Sequence, residues 1–273
     1  MPASQVMILT GCASGIARHV AEVLARDGHH LLLTDVNQQG LLGAAEEKGW
    51  SKNPEIALKK LDVRDPAAWE EAVASAVQKW GRLDVLLNIA GYLKPGFTHQ
   101  VSAEEVDRHF DINVKGLIHG TRVAARQMVA QRAGHIVNIA SMAGIAPIPG
   151  LSLYSGSKFA VRGFSLAAAQ ELRPHGVFVT TICPDAVQTP MLDLQRDYKE
   201  AAMTFSGPRA LSVEEIADAI LKALEEKPLE VRITPPRSGR AIAAQIVNAF
   251  PDLALRIGPL IQKQGLKRQK QGK

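Results

Sequence analysis

The chain is poor in cysteine: two in 273 residues, Cys12 and Cys183, in separate apolar stretches. That excludes a disulfide framework and a CxxC metal site, and fits a reducing compartment in which both are small buried residues. No uninterrupted apolar run reaches the roughly 18 residues that would suggest a membrane span. The opening Met1-Pro2-Ala3-Ser4-Gln5 lacks the charged and apolar blocks of a secretory signal. A cytoplasmic protein is expected. Internal repeats and low-complexity linkers are also missing.

Acidic residues are missing from the tail that carries Lys263, Lys267, Arg268, Lys270 and Lys273. These five account for the formal charge of +5; without them 27 basic residues face 27 acidic ones. A neutral body offers no phosphate-tracking groove, so nucleic acid is not an expected partner.

With 46% hydrophobic residues the chain can bury one sizeable core. Branched apolar runs at Val6–Leu9, Leu31–Thr34, Ile56–Leu61, Leu83–Leu87, His135–Ile139, Val177–Ile182 and Glu230–Ile233 predict strands. Helical spacing predicts helices over Ile16–Arg26, Pro66–Trp80, Ala103–Gln131, Leu153–Leu172 and Val213–Glu226. Asp65-Pro66 and Ser102-x-x-Glu105 read as helix starts, the second as a capping box. Strands alternating with helices pair in parallel through right-handed crossovers. The expected fold class is α/β, a doubly wound parallel sheet of about seven strands with helices on both faces. A single domain of this fold is expected over residues 1–235 and a C-terminal extension with the basic tail over 236–273. Met191–Ala210 and the stretch from Thr234 onward resist the pattern.

After the first strand, Thr10-Gly11-Cys12-Ala13-Ser14-Gly15-Ile16-Ala17-Arg18 forms a glycine-bearing turn that opens a helix. Such a turn lets a pyrophosphate approach the helix N-terminus, although a glycine pair alone also marks a plain tight turn. Asp35 stands at the end of the second strand, twenty positions beyond Gly15. An acid there hydrogen-bonds ribose hydroxyls and repels a 2′-phosphate; a solvated turn acid is the plainer reading. No arginine or lysine lies between His29 and Gly43. The cofactor is expected to be NAD(H).

These residues, in this order, resemble the short-chain dehydrogenase/reductase family over about Val6 to Ile233, which implies a Rossmann-like fold. Thr10-Gly11-x-x-x-Gly15-Ile16-Ala17 is similar to its TGxxxGxG turn, with Ala17 in the last glycine's place. Leu61-Asp62-Val63 resembles the segment whose aspartate meets the adenine amino group. Asn88-Ile89-Ala90-Gly91 resembles the NNAG motif, Ile89 departing from it. Pro184-Asp185-Ala186-Val187-Gln188-Thr189 resembles the PGxVxT turn, where Val187 and Thr189 hold the nicotinamide carboxamide; Asp185 replaces the glycine. Asn113, Ser141, Tyr154 and Lys158 fall where the family keeps its catalytic tetrad.

The resemblance implies a hydride transfer in which Tyr154 handles the proton, Lys158 lowers the phenol's pKa and reaches the nicotinamide ribose, and Ser141 binds the substrate oxygen. It implies that Asn113 bends its helix and holds a water near Lys158. The cofactor set is Gly11, Ser14, Gly15, Ile16, Asp35, Asp62, Val63, Asn88, Ala90, Gly91, Tyr154, Lys158, Val187 and Thr189, with no metal. The expected substrate is a bulky hydrophobic alcohol or ketone, from Met142, Ile145, Pro147, Ile148 and Leu151, then Met191, Leu192, Leu194, Met203 and Phe205. Two other readings stay open: a redox-sensing scaffold that binds NAD(H) without turnover, and an NADP-linked reductase. The family suggests a homodimer or homotetramer. Ala241–Ile261 is expected to pack on the body or on a partner subunit, with peripheral membrane contact the less favoured fate.

Overall fold

In the computed structural model, which describes residues 4–271, seven strands form one parallel sheet in the order β3-β2-β1-β4-β5-β6-β7. The strands are β1 (Val6–Thr10), β2 (His30–Asp35), β3 (Ile56–Lys60), β4 (Val85–Asn88), β5 (Gly134–Ile139), β6 (Val177–Pro184) and β7 (Glu230–Ile233). Met1–Ala3 and the tail's Lys273 lie outside the described residues.

Alternation along β1 builds both halves of the core. Met7 and Leu9 face one side with Leu31 and Leu33, against α1 (Gly15–Arg26), α2 (Gln38–Glu47) and α8 (Val213–Glu226). Val6 and Ile8 face the other with Leu32, against α3 (Pro66–Trp80), α5 (Leu117–Gln131) and α6 (Ser152–Leu172). Every core strand is therefore apolar on both faces, as a parallel sheet covered by helices requires. Because β1 lies between β2 and β4, the winding reverses there and a crevice opens beyond the strands' carboxyl ends.

Three expectations change in detail. The helix predicted over 103–131 is α4 (Ala103–Phe110), a wide π-type turn at Asp111–Gly116 that contains Asn113, and α5. The capping box at Ser102 is half formed: Ser102 accepts from Glu105 N at 3.3 Å, while the Glu105 carboxylate serves Tyr92 and Lys94. The box closes in both directions at Ser212 and Glu215 on α8. The irregular stretch 191–210 holds α7 (Pro190–Gln195) and a 3-10 turn at Lys199–Ser206, and the chain beyond Thr234 forms α9 (Arg240–Ala249) and α10 (Pro251–Gln271). Proline at the start of α10 suits the first helical position and separates it from α9.

Candidate active site

Strand ends surround the crevice, and the first task of the sequence there is to keep β1 and β4 in register. The Thr10 hydroxyl does this by accepting from both Ile89 N and Ala90 N, each at 3.0 Å. Gly11 then passes so close to the second loop that a Cβ would stand 3.1 Å from Ala90 Cα, at a φ of +84° that disfavours any side chain. The fit explains why the turn carries glycine here. Asp35 completes the loop, its carboxylate accepting from Ala13 N at 2.9 Å and Asn37 N at 2.8 Å.

Gly11, Ser14, Gly15, Ile16, Asp35, Asp62, Val63, Ala90, Gly91 and Thr189 line one crevice of about 480 Å³. Asp62 is paired with Arg64 at 2.6 Å, and that hydrogen bond holds its carboxyl below the usual carboxylate range. Asn88 sits behind this wall. Its amide donates to Asn138 Oδ1 at 2.9 Å and Thr121 Oγ1 at 3.2 Å, and Asn138 in turn donates to Ser165 Oγ at 2.9 Å. Of the expected cofactor residues, Asn88 is the one whose side chain lines neither crevice; it ties β4 and β5 to α5 and α6 from below.

Ser141, Tyr154, Lys158 and Val187 line an adjoining cavity of about 130 Å³, which Ile16, Gly91 and Thr189 share with the first. Asn113 is buried beside it. Its Oδ1 accepts from Tyr92 N at 2.7 Å, while its Nδ2 donates to Tyr92 O at 2.8 Å and Ser157 Oγ at 3.0 Å. One side chain thus locks the loop after β4 to α6, and the extra residue of the wide helical turn lets it point there.

Lys158 is 3% exposed, yet carries an ammonium that donates to Ile139 O at 2.7 Å. It lies 5.7 Å from the centre of the Tyr154 ring. Burial lowers the Lys158 pKa to about 8 and raises that of Tyr154 to about 12, with a Ser141 hydrogen bond opposing the rise. The expected lowering of the phenol's pKa by Lys158 is absent in this geometry: both groups are desolvated, and the ammonium is turned toward the β5 carbonyl. The Ser141 hydroxyl accepts from Ala143 N at 3.1 Å, so it also caps the turn at Met142–Gly144. Cys12 and Cys183 are buried and free, and burial pushes both thiols above their ordinary pKa, away from reactivity.

Arg240 is the feature that sequence reasoning missed. It enters this cavity from α9 and pairs with Asp185, Nε to Oδ2 and Nη2 to Oδ1 at 3.3 Å, with Ser206 Oγ 3.3 Å from its Nη1. Asp185 has no positive φ, so its departure from the glycine of the motif carries no backbone strain. Its charge is met by a residue 55 positions away, a separation no local spacing could reveal. Of the expected apolar lining, Met142, Ile148, Leu151, Met191 and Leu192 face the cavity. Ile145 is buried in a neighbouring cluster, and Leu194 is exposed.

The family model described as short chain dehydrogenase matches residues 5–200. A diacetyl reductase ((S)-acetoin forming) of Staphylococcus epidermidis is 37% identical over 191 residues, 70% of this chain and 74% of that protein. A cyclopentanol dehydrogenase of Comamonas testosteroni is 34% identical over 222 residues, 80% of this chain and 88% of its own. Among solved structures, a short chain dehydrogenase/reductase from Burkholderia phymatum in complex with NAD superposes with a TM-score of 0.79 at 28% identity, covering 93% of this chain and 95% of that one.

Two measurements check this geometry. A lysine whose pKa is about 8 when folded and about 10.4 when unfolded sheds its proton first in the folded state, so stability contributed by this group rises with pH between those values. Relative to Lys158→Met, the wild type is expected to gain about 2 kcal/mol of unfolding free energy from pH 7.5 to 10 in urea titrations; a flat difference would show a solvated ammonium. Removing the guanidinium leaves Asp185 unpaired, so Arg240→Ala is expected to weaken dinucleotide binding about ten-fold. Asp185→Asn in that background should restore it, whereas no rescue would mean Arg240 acts by packing alone.

Proposed function

The chain belongs to the short-chain dehydrogenase family, and from that premise we propose that it is an oxidoreductase that interconverts a secondary alcohol and its carbonyl with NAD(H). The observation that carries the reading is the convergence of Ser141, Tyr154 and Lys158 on one cavity that shares its wall with the phosphate-loop crevice. The residues present fit a dinucleotide. Gly11 leaves its backbone bare, the turn before α1 offers helix N-terminal amides to a pyrophosphate, and Asp35 faces the crevice where the ribose of the adenosine half would lie. Val187 and Thr189 would hold the carboxamide of the nicotinamide, and Lys158 its ribose. When bound, that cofactor supplies or accepts the hydride.

The side chains supply the rest. Ser141 binds the reacting oxygen by hydrogen bonding, an interaction that strengthens as charge gathers there. Tyr154, its pKa raised to about 12, is a neutral phenol at physiological pH and therefore the proton donor when the carbonyl is reduced. In the opposite direction the phenolate takes the alcohol's proton, a form that Lys158 would stabilise once its ammonium turns from Ile139 O toward the phenol. Asn113 is a positioning residue that holds the wall of the cavity through Tyr92 and Ser157.

An apolar cavity built from Met142, Ile148, Leu151, Met191 and Leu192 supports a cyclic or otherwise lipophilic alcohol as substrate. The family relationship supports a homo-oligomer, and the dimer or tetramer is part of this proposal.

Tyr154→Phe is expected to keep NADH binding, followed by fluorescence, while turnover falls by at least about 10². Near-normal turnover would remove the phenol from the chemistry. A panel of cyclopentanol, longer cyclic alcohols and acetoin, run with NAD and NADP side by side, is expected to favour NAD and the lipophilic alcohols. Asp35→Ser should shift kcat/KM toward NADP by about ten-fold or more, because the carboxylate no longer repels the 2′-phosphate. A wild-type preference for NADP would overturn the cofactor assignment.

A further inference from the structure

The C-terminal helices are fastened at both ends and open to solvent between. At the start, Arg240 is bound to Asp185. At the far end, buried Gln269 donates to the carbonyls of Gln195, Arg196 and Tyr198 at 3.1, 3.2 and 2.9 Å, and Arg268 donates to Ser206 O at 2.6 Å. Gly265 lies against the turn at Lys199–Ser206 so closely that a Cβ would fall 1.9 Å from Ala202 O. Between these anchors, residues 242–264 contain no buried residue.

What they expose is apolar. Ala241 and Ala244 rest on the cluster of Leu117, Met142 and Ile145. On the solvent side Ile242 is 64% exposed, Phe250 66%, Leu255 78% and Leu260 71%. A single exposed leucine is ordinary; four large apolar side chains exposed over residues 242–260, in a stretch whose charged groups are Asp252 and Arg256, are more than scattered exposure accounts for. The charge beside it has one sign. Beyond Asp252 the sequence holds no acid, and Arg256, Lys263, Lys267 and Lys270 are exposed on α10. A second copy of the chain would bring those cations against their own kind, whereas an anionic bilayer complements both the apolar patch and the charge.

We propose that α9 and α10 form a membrane-surface anchor: Ile242, Phe250, Leu255 and Leu260 enter the acyl boundary of an anionic bilayer while Arg256, Lys263, Lys267 and Lys270 pair with lipid headgroups. Among the described residues no helix is long and apolar enough to cross a membrane, so the contact is peripheral. This reverses the expected fate of the segment. The reason is positional: Ala241 and Ala244 rest on the body while Ile242, Phe250, Leu255 and Leu260 face solvent, a distinction hydropathy along the chain does not make.

The test uses the full chain and reads sedimentation, not turnover, so its outcome is independent of the oxidoreductase assignment. The protein is centrifuged with vesicles of phosphatidylcholine and phosphatidylglycerol in equal parts, and with pure phosphatidylcholine. Pelleting is expected with the anionic vesicles at low salt and loss of it at high salt. Leu255→Asp with Leu260→Asp, and separately Lys263→Glu with Lys267→Glu, should each weaken vesicle binding by about ten-fold or more. Tm and dinucleotide binding should be unchanged; if the aspartate pair lowers Tm, Leu255→Ser with Leu260→Ser takes its place. Absence of pelleting, equal binding to neutral vesicles, or variants that bind normally would overturn the proposal. So would conversion of an oligomer to monomers by the leucine variants with no vesicle binding by the wild type, which would assign the patch to a second copy.

Discussion

A buried ammonium is the constraint around which this site is organised. Lys158 loses its water on folding, and a charge so placed persists only where carbonyls or other acceptors replace that water. Ile139 O at the end of β5 is one such acceptor. The position of α6 against β5 and the grip of Asn113 on Tyr92 and Ser157 frame that ammonium. Tyr154 follows because it precedes Lys158 by one helical turn. The ordinary packing of a parallel sheet thus brings a phenol and an ammonium to one cavity, beside one residue whose solvation is left incomplete.

Much of the fold was legible in the sequence because a covered parallel sheet writes itself as apolar runs alternating with helical spacing. All seven strands appear within a few residues of where the pattern put them, and the ends of α3 and α8 coincide with the prediction. α2 was not anticipated: its amphipathic signal is weak, and only Leu41, Ala44 and Ala45 are buried. The break in the 103–131 helix was implied by family likeness, not by periodicity, since an inserted residue in a helix barely disturbs the spacing of apolar side chains. Asn88 shows the opposite limit. A motif marks where a residue sits on a strand but not whether its side chain faces ligand or core, and here it faces Asn138 and Thr121.

The departures from the family pattern become intelligible once their neighbours are known. Ala17 is buried within α1, where the methyl group packs against the sheet. Ile89 gives up a polar side chain, but its backbone N–H is still held by Thr10, and its side chain joins the core beside Leu9 and Leu87. Asp185 exchanges glycine for a carboxylate and is answered by Arg240 from α9. The first two substitutions are absorbed locally; the third draws the C-terminal helices into the wall of the cavity.

The three carbonyls that Gln269 satisfies belong to the end of α7 and the chain just after it, and Gln195 among them also lines the small cavity. Gln269 therefore braces the wall of that cavity from α10. A chain cut before Arg268 would keep its sheet and phosphate loop but leave the segment from Gln195 to Ser206 unpinned at its outer edge.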